Sequence, residues 1–149
     1  MTNTSIGGML AIVLSGLLFS LIARAATQQV VAITLQDPSG DSSLSGMLMK
    51  TDTPTVKAGR VTLQALNQSK ELLHEVLVVP VPSAARQFSY DTKKDTIIEK
   101  RVHSLGEISD LKPGARGKLT LNLKAGTYLL LCNKPGHYKA GMSTKLVVE

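Results

Sequence analysis

The sequence predicts an all-β protein, an antiparallel β-sandwich of about seven or eight short strands. Three observations carry this. Runs rich in β-branched residues, or alternating apolar with polar ones, recur from residue 30 onward. Clusters of Gly, Pro, Asn and Asp separate them. No apolar period of 3.6 residues runs through the chain after residue 25, so helices are not expected. A length of 149 residues allows one domain of ordinary size.

The elements follow in order. Val30 to Leu35 is a β-branched run that ends at the turn Asp37-Pro38-Ser39-Gly40. Met47-Leu48-Met49 follows a Ser/Gly-rich stretch. Lys57-Ala58-Gly59 turns into Val61-Thr62-Leu63-Gln64-Ala65, whose alternation gives one apolar face. After the turn Asn67-Gln68-Ser69-Lys70, the run His74 to Val79 is stopped by Pro80 and Pro82. Residues 83–100 are polar without a clean period and read as a long loop with room for a short helix. Leu119, Leu121 and Leu123 alternate with Lys118, Thr120 and Asn122, a strand with one solvated face. Lys124-Ala125-Gly126 turns into Thr127 to Cys132, and Thr144 to Val148 closes the chain.

The first 23 residues carry no charged side chain, and Ile6 to Ile22 is apolar apart from Gly and Ser. Ala23-Arg24-Ala25 then matches the small-x-small pattern of a cleavage site. Residues 1–25 are expected to be a signal peptide removed after Ala25, with a retained anchor as the alternative. The 17-residue run is short of the ~20 residues a span needs. The protein is thus expected to be exported to the periplasm. Residues 26–43 read as an N-terminal strand and linker, and 44–149 as the main domain.

Export gives the lone cysteine a meaning. It cannot form an internal disulfide, and a free thiol in an oxidising compartment must be buried, reactive or metal-bound. Cys132 opens the string Cys132-x4-His137-x4-Met142, in which Pro135 and Gly136 can turn the chain back on itself. A second imidazole, His74, shares a strand face with Val76 and Val78. A thiolate, two imidazoles and a weak thioether make the donor set of a type 1 copper site. Zinc takes Cys and His as well, but a thioether is a poor zinc ligand.

At this point the sequence resembles the cupredoxin, or blue copper, family, over roughly residues 44–149. The resemblance lies in Tyr128-x3-Cys132-x4-His137-x4-Met142 followed by a β-run, a loop similar to the rusticyanin and sulfocyanin type. It lies also in the stretch from Val56 to Val78, similar to small exported bacterial members. It implies a Greek-key sandwich, one copper ion and the ligands His74, Cys132, His137 and Met142. Glu75 departs from the family, where Asn or Ser commonly bonds across to the Cys loop. An altered bond at that place is expected.

The function expected is a carrier of single electrons between periplasmic redox partners, with a periplasmic copper-binding protein for homeostasis or delivery as the alternative. Electrons are expected to pass through an exposed edge of His137. No enzyme activity is expected, since no acid, base or oxyanion motif accompanies the Cys-His pair. His103 reads as a surface residue, and Met47 and Met49 as strand neighbours on one face rather than an auxiliary Cu(I) site. Lys+Arg exceed Asp+Glu by 17 to 11, a net charge of +6. This favours an acidic partner, such as a c-type cytochrome, steered by Lys134 and Lys139. Nucleic acid is excluded by the lack of a motif and by 3% aromatic content, which leaves no stacking platform. A monomer is expected.

Overall fold

The computed structural model describes residues 28–37, 46–81 and 88–149. The expected signal segment, residues 1–25, lies outside these, as do residues 26–27 and 38–43 of the expected linker. In chain order the strands are β1 Gln29–Gln36, β2 Leu48–Thr51, β3 Thr55–Val56, β4 Gly59–Asn67, β5 His74–Pro80, β6 Tyr90–Asp91, β7 Thr96–Ile97, β8 Glu107–Leu111, β9 Arg116–Leu123, β10 Gly126–Leu131 and β11 Ser143–Val148. The molecule is all-β. Its one helical element among the described residues is a single 3-10 turn, Glu99–Arg101.

Two sheets form a sandwich. The first has the order β2-β1-β4-β9, the second β3-β11-β10-β5-β8, and β6 with β7 makes a separate small hairpin. Most pairings are antiparallel, as expected, but β1 runs parallel to β4 and β11 parallel to β3. The sandwich also begins earlier than residue 44. β1 lies between β2 and β4, and Val31, Ile33 and Leu35 are buried in the common core.

The alternating residues explain the interior. Val31, Ile33 and Leu35 of β1 and Val61, Leu63 and Ala65 of β4 face Val76 and Val78 of β5, Tyr128 and Leu130 of β10, and Leu146 and Val148 of β11. Each Val, Leu or Ile among them contributes about 1.5–3 kcal/mol by leaving water. The second sheet is covered on both faces. On its outer side Leu77, Val79, Ile97 and Leu131 form a smaller cluster, roofed by Phe88, Tyr90, Val102 and Tyr138. This is why β5 is buried on both faces from His74 to Val79, with Val76 to Val79 an unbroken apolar run.

The stretch expected as a long loop therefore does more than connect. Its described part, from residue 88, supplies the hairpin, the 3-10 turn and the roof of the outer cluster.

Candidate metal centre

β5 and β10 deliver the first ligands. These neighbouring antiparallel strands place His74 at the start of one and Cys132 just past the end of the other. The chain then folds into a compact loop. The His137 N–H donates to Lys134 O at 3.0 Å, the Met142 N–H to His137 O at 3.0 Å, and the Cys132 N–H to Met142 O at 3.1 Å. The last two bonds tie the backbones of Cys132, His137 and Met142 into one closed ring. Gly136 turns the loop at φ 81°, a conformation that disfavours any residue with a Cβ.

The side chains converge. Cys132 Sγ lies 3.3 Å from His137 Nδ1 and 4.0 Å from His74 Nδ1, and the two Nδ1 atoms are 3.2 Å apart. His74, Cys132 and Met142 are 0% exposed, and His137 is 5% exposed. The fit to a metal ion can be checked from these distances. Bonds of about 2.0–2.1 Å to imidazole and about 2.3 Å to thiolate, at angles of about 105–120°, would set the donors about 3.2–3.8 Å apart. The three observed separations span that range and pass it only on the His74 side.

Charge states favour the same chemistry. Burial, reinforced by His137, lowers the His74 pKa to about 4. Burial, with help from Lys134, also lowers that of His137. Both rings are therefore neutral near pH 7 and ready to donate a lone pair. Burial pushes the Cys132 thiol up to about 11, so in the metal-free molecule it keeps its proton, which a bound cation must displace. A closed, apolar, all-neutral donor set of Cys, two His and a buried Met is the set of a type 1 copper site.

The surrounding hydrogen bonds fix the rings. With Nδ1 of His74 turned to the cluster, its Nε2–H donates to Ser69 Oγ at 2.6 Å. Ser69 Oγ donates to Asn67 Oδ1 at 2.8 Å, and Asn67 Nδ2 donates to the carbonyls of Leu72 and Leu111, each at 2.8 Å. Asn133 anchors the ligand loop to the roof. Its amide pairs with the Ile97 backbone in both directions, at 2.7 and 3.0 Å, and reaches Glu99 Oε1 at 2.8 Å.

Comparison with solved structures places the architecture. Rusticyanin from Thiobacillus ferrooxidans superposes with a TM-score of 0.58 at 18% identity, covering 84% of this chain and 79% of that one. Reduced auracyanin from Roseiflexus castenholzii gives 0.52 at 20% identity, covering 84% and 98%. Auracyanin B gives 0.54 at 20% identity, covering 86% and 93%. This chain has the cupredoxin fold. No family model and no curated protein sequence matches it. The cupredoxin sandwich that the sequence predicts is thus the one observed, with the imidazoles and thiol gathered at one end.

Several expectations change within this cupredoxin frame. The bond across from the residue after His74 is present: Glu75 Oε1 accepts the Asn133 N–H at 3.0 Å. His137 has only a sliver of exposed edge. Lys134 turns inward to Glu75 at 3.0 Å and to Asp110 at 2.6 Å. Lys139 pairs with Asp95 at 3.0 Å and sits over the Tyr90 ring at 4.2 Å. Both lysines are therefore partnered by carboxylates. Met47 and Met49 are core residues, each 3% exposed, as the plainer expectation had it. His103 is exposed, away from the cluster.

Sequence reasoning passed over Asn67, Ser69 and Asn133. The one available signal was position. Asn67 and Ser69 sit in the turn just before the His74 strand, and Asn133 directly follows Cys132.

Proposed function

We propose that this protein is an exported type 1 copper protein that carries single electrons between redox proteins. His74, Cys132 and His137 would hold the metal, with the buried Met142 thioether as the fourth donor. The observation that carries this is the buried meeting of one thiol and two Nδ1 atoms within 4.8 Å of one another. Copper bound there supplies a one-electron couple between Cu(I) and Cu(II).

The protein's own contribution is rigidity and exclusion. The Ser69–Asn67 chain holds the His74 ring, and the backbone ring holds the loop, so the donors stay fixed as the charge changes. A site whose donors move little needs little reorganisation during electron transfer. Ligand residues that are 0–5% exposed leave no room for a substrate, which supports a carrier rather than an enzyme. The apolar residues 6–22 followed by Ala23-Arg24-Ala25 support export.

The copper-loaded, oxidised protein should absorb strongly in the visible through thiolate-to-copper charge transfer. The band should bleach with ascorbate and be absent in Cys132→Ser. A loaded wild type without the band, or a band that survives Cys132→Ser, would overturn the reading.

A further inference from the structure

Glu75 follows a ligand directly, yet it is a carboxylate buried to 7% exposure. Its two oxygens have separate partners. Oε1 accepts the Asn133 N–H at 3.0 Å, and Oε2 faces Lys134 Nζ at 3.0 Å. Lys134 Nζ reaches on to Asp110 Oδ1 at 2.6 Å. Asn133 and Lys134 are the two residues after Cys132, and Asp110 lies on β8, which pairs with β5. One chain of charge thus joins β5, the ligand loop and β8 beside the donors.

A neutral Asn or Ser would supply a bond to the Asn133 N–H. It would not place a negative charge there, nor draw a lysine inward. The Lys134 and Glu75 side chains are 26% and 9% exposed, so solvent and salt screen them far less than a surface pair. We propose that Glu75 and Lys134 form an ion-pair clasp that closes the ligand loop onto β5 and sets the electric field at the metal. Glu75 favours the more highly charged metal state and Lys134 the less charged one. This rests on the copper reading above. It makes the two residues positioning and tuning groups rather than ligands.

The signs separate this from a passive staple. Glu75→Gln keeps an acceptor for the Asn133 N–H but removes the negative charge, so the reduction potential should rise. Lys134→Met removes the positive charge, so the potential should fall. The double variant should lie between the two single variants. Each should keep the charge-transfer band, because no ligand is touched. Shifts of the same sign, or none, would overturn the field. Should Glu75→Gln fail to fold, Lys134→Met and Asp110→Asn carry the same test, with a fall and a rise expected.

The closure is tested without copper. In the metal-free protein, amide hydrogen exchange at Asn133 should quicken in Glu75→Ala, and by less in Glu75→Gln, which keeps the acceptor but loses the ion pair. Equal rates in all three would overturn the clasp. A wild type that never develops the visible band would instead sink the copper reading, while the exchange result would still decide the clasp.

Discussion

His74 and His137 meet ring to ring, with Nδ1 atoms 3.2 Å apart, centroids 5.0 Å apart and planes inclined at 62°. Two imidazoles this close and this buried cannot both take a proton cheaply. Their neutrality prepares them for a cation and makes the metal-free protein sensitive to acid.

The acid response has a definite sign. His74 holds neutral down to about 4 in the fold, against 6.5 for the free side chain. Between these values the unfolded chain binds the extra proton, so stability rises with pH across the window and is lost as pH falls. The copper-free protein should lose up to about 1.4 kcal/mol per pH unit there from this one group. Urea unfolding at pH 4 to 7 measures it, and His74→Gln should flatten the slope.

Ser69 receives the His74 Nε2–H. Ser69→Ala leaves that buried donor without its partner and frees the ring to turn. Copper affinity, read by competition with a chelator, should fall about 10–100-fold. Ser69→Thr, which keeps the hydroxyl, should restore most of it. An affinity unchanged by Ser69→Ala would mean that packing alone holds the ring.

Met142 is fully buried on the ligand loop. A thioether favours Cu(I) and an amide oxygen is harder, so Met142→Gln should lower the reduction potential while the charge-transfer band persists. A potential that does not move would make Met142 core packing only.

Gly117 lies on β9, facing the other sheet. A methyl group there would overlap the Ile108 side chain and crowd Leu111. Gly117→Ala should destabilise the fold by about 1–3 kcal/mol, a loss visible as a lower urea midpoint with an unchanged visible spectrum.

What could be read from the sequence depended on regular spacing. β4 and β9 show their alternation because each has one face in the core and one in water. The ligand loop could be read because Cys132, His137 and Met142 are chemically unusual and closely spaced. β8 was invisible for a physical reason: its buried residues, Ile108 and Leu111, are three apart. Asp110 at φ 49° and a register shift against β5 between His74 and Val76 break the two-residue period. The roof over the outer cluster was missed because its strands are two residues long. Ser69, Asn67 and Asn133 are ordinary turn residues in type, and only the fold brings them to the imidazole and the loop. Glu75 was noticed as a departure, but its bond to Asn133 needed coordinates.

The parallel pairing of β1 with β4 has a practical consequence. Gln29 pairs with Val61 and Leu35 with Asn67, and Asn67 is the residue that steadies Ser69 under His74. The chain therefore joins the sandwich at the pole away from the donors, about 20 Å along the strand at ~3.3 Å per residue. A label or surface linkage engineered at Gln29 would therefore sit at the pole opposite the imidazoles.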